Sequence, residues 1–307
     1  MGVLQGVGRV VVELKGDQYE VDLSDAPTDC SIGVETIDGG RKQPRAFQLP
    51  PAGTEWLYRC AVAGRCAVNV GELRCCAHGA GTHTECVGHI APTLPKIITL
   101  DECGVPLPLL VPAVLLSVAP STLRESGERY SDLTDAGGQA DAGEDAYASD
   151  LVITHSNLES LQRETRNAFA GGPPAGAALC IRVLPNDDGK RTRNWTGAGA
   201  PYFTRDAVEW IVAEGYHHLL VDMPSVDRED DGGRLVAHRA LLRAPMSGTT
   251  FSPTPHTITE LCFFPDSLGD GSYMLSLQVP KIDMDAAPSR VLLYRTRRVS
   301  KEDPPPC

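Results

Sequence analysis

Basic residues are scarce in this chain. Lys and Arg number 28 against 40 Asp and Glu, a net charge of −12. Such a surface repels phosphate backbones, which excludes nucleic acid as a partner. No run reaches the ~18 apolar residues that crossing a bilayer takes. The N-terminus lacks the charged-then-apolar pattern of a secretory signal. Met1-Gly2-Val3-Leu4-Gln5-Gly6 has no Ser or Thr of a myristoylation signal, and the terminal Pro-Pro-Pro-Cys307 is not a prenylation box. The expectation is a cytoplasmic protein with no membrane partner. The ten cysteines lack the paired spacing of a zinc ribbon or a small disulfide scaffold, so free thiols in a reducing compartment are expected. No Gly-x-Ser-x-Gly elbow is present, which removes the usual serine-hydrolase arrangement. There is no internal repeat.

Hydrophobic residues at 42% suffice for a substantial core. Length allows two domains or one large α/β domain with insertions. Val10, Val12 and Leu14, then Tyr19, Val21 and Leu23, predict a hairpin around Gly16-Asp17. Lys96–Leu100 and Leu109–Val118 read as buried strands, the latter within the longest apolar stretch, Pro106–Val118. Ser121–Asp150, rich in Ser, Gly, Ala and Asp, reads as an insertion outside the core. Ser156-Asn157 is expected to cap a helix through Leu158, Leu161 and Arg166, and Ala177–Val183 to form a strand. Thr204 caps a helix over 205–213 that Gly215 ends, and His218–Val221 follows as a strand. Strand, helix, strand in that order is the crossover unit of an α/β fold.

Chemistry concentrates in His78-Gly79-Ala80-Gly81-Thr82-His83-Thr84-Glu85-Cys86-Val87-Gly88-His89. Three imidazoles and a carboxylate at this density suit Zn or Mn. In an extended segment His83, Glu85 and His89 share one face. His78 does not, so a turn at Gly79 or Gly81 is needed to bring it in. Cys86 faces away and packs. Farther on, His238 lies on a short helix with Leu235, Leu241 and Leu242 on its buried face. Glu260 alternates in phase with Ile258, Cys262 and Phe264. A carboxylate on an apolar face is costly unless it meets a cation. Ser225 reads as capping a turn.

These segments together resemble the metal-dependent cyclase family that includes bacterial kynurenine formamidase (arylformamidase), isatin hydrolase and a dienelactone hydrolase. The resemblance runs from Tyr19-Glu20-Val21-Asp22-Leu23-Ser24 through the histidine segment to Tyr202–Trp210, Val221–Asp227, the Leu-Val-Ala-His238 helix, Ile258-Thr259-Glu260-Leu261 and the pair Val279-Pro280 and Pro288–Val291. Ser121–Asp150 and Ala244–Pro255 stand out as insertions. The resemblance implies a single α/β domain over 1–307 with a mixed, curved sheet of the swivelling β/β/α type. It also implies that His78, His83 and Glu85 bind one metal, with Glu85 bridging to a second held by His238 and Glu260. His89 takes the acid-base position, with Glu260 beside it as the other candidate catalytic group. The implied cofactor is one or two ions of Zn or Mn, the partner a small-molecule substrate, and the assembly a homodimer or homotetramer.

Three positions depart from the family pattern. His78 precedes His83 by five residues rather than four, Glu85 replaces an Asp, and Val87 replaces a Pro. The expected reaction is hydrolysis of N-formylkynurenine to kynurenine and formate. The alternatives are a cyclic amide or lactone as substrate, or an inactive metal- or ligand-binding module.

Overall fold

The computed structural model describes residues 8–34, 55–79, 81–105, 107–128, 130, 147–165, 169, 172–245 and 250–299. The expected hairpin is β1 (Arg9–Leu14) and β2 (Asp17–Asp22), turned at Lys15-Gly16 rather than Gly16-Asp17 because Asp17 already pairs with Leu14. Then come β3 (Thr28–Asp29), the two-stranded ribbon β4 (Glu55–Cys60) and β5 (Val70–Arg74), β6 (His83–Glu85) and β7 (Val111–Val118). Lys96–Leu100 forms no strand. Thr99 and Glu102 exchange side-chain-to-backbone hydrogen bonds of 3.0 and 3.3 Å, which turns the chain instead of extending it.

β8 (Ser121–Thr122), α1 (Leu123–Ser126) and β9 (Leu151–Ile153) come next. The two ends of Ser121–Asp150 are therefore built into the fold, with Leu123, Tyr130 and Ala148 buried. Residues 131–146, like Arg166, Pro106 and 246–249, lie outside the described residues. In α2 (His155–Glu164) the cap is Thr154, whose Oγ1 accepts from Asn157 N at 3.0 Å. Asn157 reciprocates from the third helical position, so the expected start at Ser156-Asn157 was two residues late. β10 (Ala178–Val183), β11 (Tyr202–Phe203), α3 (Arg205–Ala213), capped by Thr204 as expected, and β12 (His218–Val221) complete the crossover. The remainder is α4 (Val236–Leu241), β13 (Thr257–Glu260), β14 (Gly271–Gln278), β15 (Ala286–Pro288) and β16 (Arg290–Val299).

One mixed sheet organises a single α/β domain. Its order is β1-β2-β16-β14-β7-β10-β12-β13-β6-β15, with β3 on β16. β7, β10, β12 and β13 run parallel, and the strands on either side pair antiparallel. Every residue of β10 is buried, as expected of a strand covered on both faces. Leu179, Ile181, Leu219 and Val221 pack with Leu158, Val208, Ile211 and Leu241 from the helices, while on the other face Ala178, Cys180 and Leu220 cluster with Leu115, Phe264 and Leu275. Ile258 and Phe264 fall in different clusters because β13 ends at Glu260 and the next residue, Leu261, with a φ of +54°, breaks the alternation. Cys60 and Cys66 form a disulfide beside the β4–β5 ribbon, contrary to the expectation of ten free thiols. That pairing removes the thiol argument for a reducing compartment. Among the described residues no helix is long and apolar enough to cross a membrane.

Candidate metal centre

The site lies beyond the carboxyl ends of the parallel strands β12 and β13, where α/β sheets commonly build theirs. The antiparallel pairing sets His83 opposite Glu260 and Glu85 opposite Ile258, so the imidazole and both carboxylates share one face. On the other face the Thr84 and Thr259 hydroxyls bond at 2.9 Å and pin the register. α4 adds His238. His83 Nε2 is 3.5 Å from Glu260 Oε2, and His238 Nε2 is 3.0 Å from Glu85 Oε1 and 3.8 Å from Glu260 Oε1. None of these four residues is more than 5% exposed.

Both rings are held from behind. His83 Nδ1 bonds Gly81 O at 3.0 Å, which leaves Nε2 as the lone-pair nitrogen. His238 Nδ1 bonds Asp227 Oδ2 at 2.7 Å, and Asp227 also accepts the N–H groups of Ala237 and His238 at 2.7 and 3.0 Å. This is the back-side support that ligating histidines receive. Yet His83 Nε2 and Glu85 Oε1 are buried without a hydrogen-bond partner, Glu85 Oε1 missing an acceptable geometry with His238 despite its closeness. Buried polar atoms are rarely left so. A cation beside each would satisfy it, and both atoms belong to residues of the set His78, His83 and Glu85, whose ligand atoms lie within 4.8 Å of one another.

His78 and His89 stand at the outer side. The turn Ala77–Gly79 carries His78, and Gly81, with φ +102°, returns the chain into β6; a Cβ there would lie 2.5 Å from Ile32 O. His78 Nδ1 is 3.0 Å from Glu85 Oε2 and Nε2 is 2.9 Å from Asp285 Oδ2. His89 does not continue the strand, so its expected in-phase position is not how it arrives. A short 3-10 turn, Val87–Ile90, swings it back, with Nε2 3.7 Å from Glu85 Oε2 and Nδ1 3.7 Å from Asp285 Oδ2. Its side chain is 32% exposed, against 1% for His83. All six expected residues thus converge. Three overlapping sets place one ligand atom each within 4.8 Å of the others: His78, His83 and Glu85; Glu85, His89 and His238; His78, His89 and Asp285.

Two further residues carried no assigned role in the sequence. Asp227 supports His238, and Asp285 joins His78 to His89. Each lies in a loop among other Asp residues, and neither is in a spacing pattern with the histidines. Electrostatics follow the geometry. Burial pushes the Glu85 carboxyl up, but the His89 and His238 charges hold it well below the usual range. Burial opposes the charge on His78, yet Asp285 and Glu85 raise it to about 10. His238 is raised well above the imidazole range by Glu85 and Asp227 against its burial. Four carboxylates, Glu85, Asp227, Glu260 and Asp285, make this a pocket that demands positive charge.

The Cyclase family model matches residues 40–228, which include the histidine segment and Asp227. This chain belongs to the Cyclase family. Solved structures share the fold. A protein described as a predicted metal-dependent hydrolase from Bacillus stearothermophilus is 16% identical, covering 87% of this chain and 97% of its own at a TM-score of 0.52. Isatin hydrolase A from Labrenzia aggregata, bound to benzyl benzoate, is 15% identical, covering 88% and 93% at 0.55. Isatin hydrolase A from Ralstonia solanacearum is 16% identical, covering 87% and 90% at 0.52. No curated protein matches.

Proposed function

We propose that this Cyclase family member is a metal-dependent hydrolase of amide bonds. The observation that carries the reading is the pair of buried, unpartnered atoms, His83 Nε2 and Glu85 Oε1, facing a space also bordered by His238 and Glu260. His78, His83 and Glu85 would hold one ion, and His238 with Glu260 would hold a second; Zn or Mn fits imidazoles combined with carboxylates. A divalent ion bound there activates water and polarises a carbonyl. The chain supplies the rest. His89, at the open side of the cluster, takes the proton from the attacking water and returns it to the leaving nitrogen. Asp285 and Glu85 keep its ring in place, and Glu260 lines the opposite wall.

The substrate we propose is a small N-formyl aromatic amine of the N-formylkynurenine type, cleaved to the free amine and formate. A cyclic amide is the second reading, supported by the isatin hydrolases among the structural relatives. A homodimer or homotetramer fits the exposed Val62, Val68, Val70 and Leu73 on and beside the β4–β5 ribbon. The test is elemental analysis of protein purified without chelator, followed by turnover of formamide, lactam and lactone substrates. One or two Zn or Mn ions per chain and hydrolysis of a formamide or a lactam are expected. No transition metal, with no gain of stability or activity on adding one, would sink the reading.

A further inference from the structure

We infer that Tyr130, contributed by the segment 121–150, is a positioning residue for the metal centre, acting through Asp227 on His238; this rests on the metal reading above. Tyr130 is only 7% exposed although its neighbourhood in sequence is polar. Its hydroxyl sits between Asp227 Oδ1 at 3.0 Å and Asp231 Oδ2 at 3.2 Å. Asp227 is the carboxylate that holds His238 Nδ1 at 2.7 Å, and Asp231 Oδ2 accepts the N–H of Leu235, which precedes α4. One phenol therefore touches both carboxylates that fix the helix bearing His238. Its ring packs edge-on against Tyr202, centroids 4.9 Å apart, in a cluster that includes Val236, the first residue of α4.

The far end of the same segment grips the same loop. Asp150 Oδ2 accepts from Arg228 Nε at 2.8 Å, and the Arg228 guanidinium lies 4.0 Å above the Tyr147 ring. Both ends of 121–150 thus clamp residues 227–231, between β12 and α4. Leu235 there has a φ of +50°, a conformation unfavourable for a leucine, and it persists only where its surroundings impose it. The segment that looks like an insertion in sequence is tied to the position of a ligand histidine. The chemistry is that of outer hydrogen-bond partners of metal ligands, whose loss commonly weakens metal binding by about 10- to 100-fold.

Tyr130→Phe removes the hydroxyl and keeps the ring. Tyr202→Phe, in the same aromatic pair, removes a hydroxyl that bonds Asp150 at 3.3 Å and does not reach Asp227. Zn affinity is read by competition with a chromophoric chelator, together with the melting temperature of each metal-free protein and the ring-nitrogen NMR signals of His238. Tyr130→Phe should weaken Zn binding about tenfold and move the metal-free His238 signals, while Tyr202→Phe stays near wild type in both. Asp150→Asn, which loosens the clamp through Arg228 without touching Asp227, should weaken Zn binding in the same direction. Equal affinities and unmoved His238 signals in all variants would overturn the inference while leaving the metal reading intact. Losses that merely track the melting temperature in both Phe variants would also overturn it. A wild-type protein that binds no Zn or Mn overturns the metal reading itself.

Discussion

At the scale of single residues, the roles within the histidine cluster separate by what each ring nitrogen faces. His83 is enclosed, braced through Nδ1, and presents a bare Nε2 to the carboxylates. His89 is a third exposed and stands off both Glu85 and Asp285 by 3.7 Å. His83→Ala should therefore lose both metal and turnover. His89→Ala should keep its metal and lose on the order of 10²- to 10⁴-fold in kcat. Metal content and kcat of the two purified variants decide this, and a metal-replete, fully active His89→Ala would remove His89 from the mechanism. The residues of the candidate site were legible in sequence because imidazoles and a carboxylate crowd twelve residues, and because Glu260 sits in phase with the apolar Ile258. The supporting carboxylates were not. An Asp that acts by holding another side chain leaves no spacing pattern, and Asp285 reaches His78 across more than two hundred positions.

At the scale of elements, two glycines shape the approach to the site. Gly88 lets the turn bearing His89 pack tightly, since a Cβ there would fall 1.9 Å from Ile98 O and 2.9 Å from Asp285 Cβ. Gly81 combines a left-handed φ with a Cβ position 2.5 Å from the Ile32 carbonyl, a backbone atom that cannot swing away. Gly81→Ala should consequently cost about 2 kcal/mol or more in urea unfolding, because strained φ and overpacking add. Since Gly81 O also braces His83, metal affinity should fall with it. Near-wild-type stability and affinity would show that the turn relaxes freely. A glycine turn here is legible in the sequence because His78 has the wrong parity for β6. The turn at Thr99-Glu102 is not legible, because side-chain bonds to backbone override an apolar run that reads as a strand. The start of α2 is ambiguous in sequence because Thr154, Ser156 and Asn157 are all good caps, and the chain uses Thr154.

At the scale of the whole molecule, the parallel centre of the sheet followed from the strand-helix-strand pattern. The antiparallel flanks did not, since β6 and β15 are three residues each and pair with segments distant in sequence. The sheet also has two chemically opposed ends. The carboxyl ends of β12 and β13 carry the candidate metal centre, whereas their amino ends carry His218 and His256, with His217 4.5 Å from His256 between ring centroids and Arg243 near enough to repel further charge. Burial pushes His218 down to about 3, helped by His217 and His256. Burial likewise lowers His256 to about 4, with His217 and Arg243 adding to it, and its Nδ1 has no hydrogen-bond partner. In the unfolded chain both titrate near 6.5, so as pH falls the unfolded state takes up protons first. The stability these two groups contribute is full above about pH 6.5 and is lost progressively toward pH 4 and 3. His256→Gln cannot be protonated and should flatten this slope between pH 6.5 and 4. Urea midpoints of the metal-free wild type and variant across that window test it, because the substitution leaves the candidate metal centre at the other end of the strands untouched. Curves that stay parallel would show that this histidine cluster does not set the acid limit of the fold.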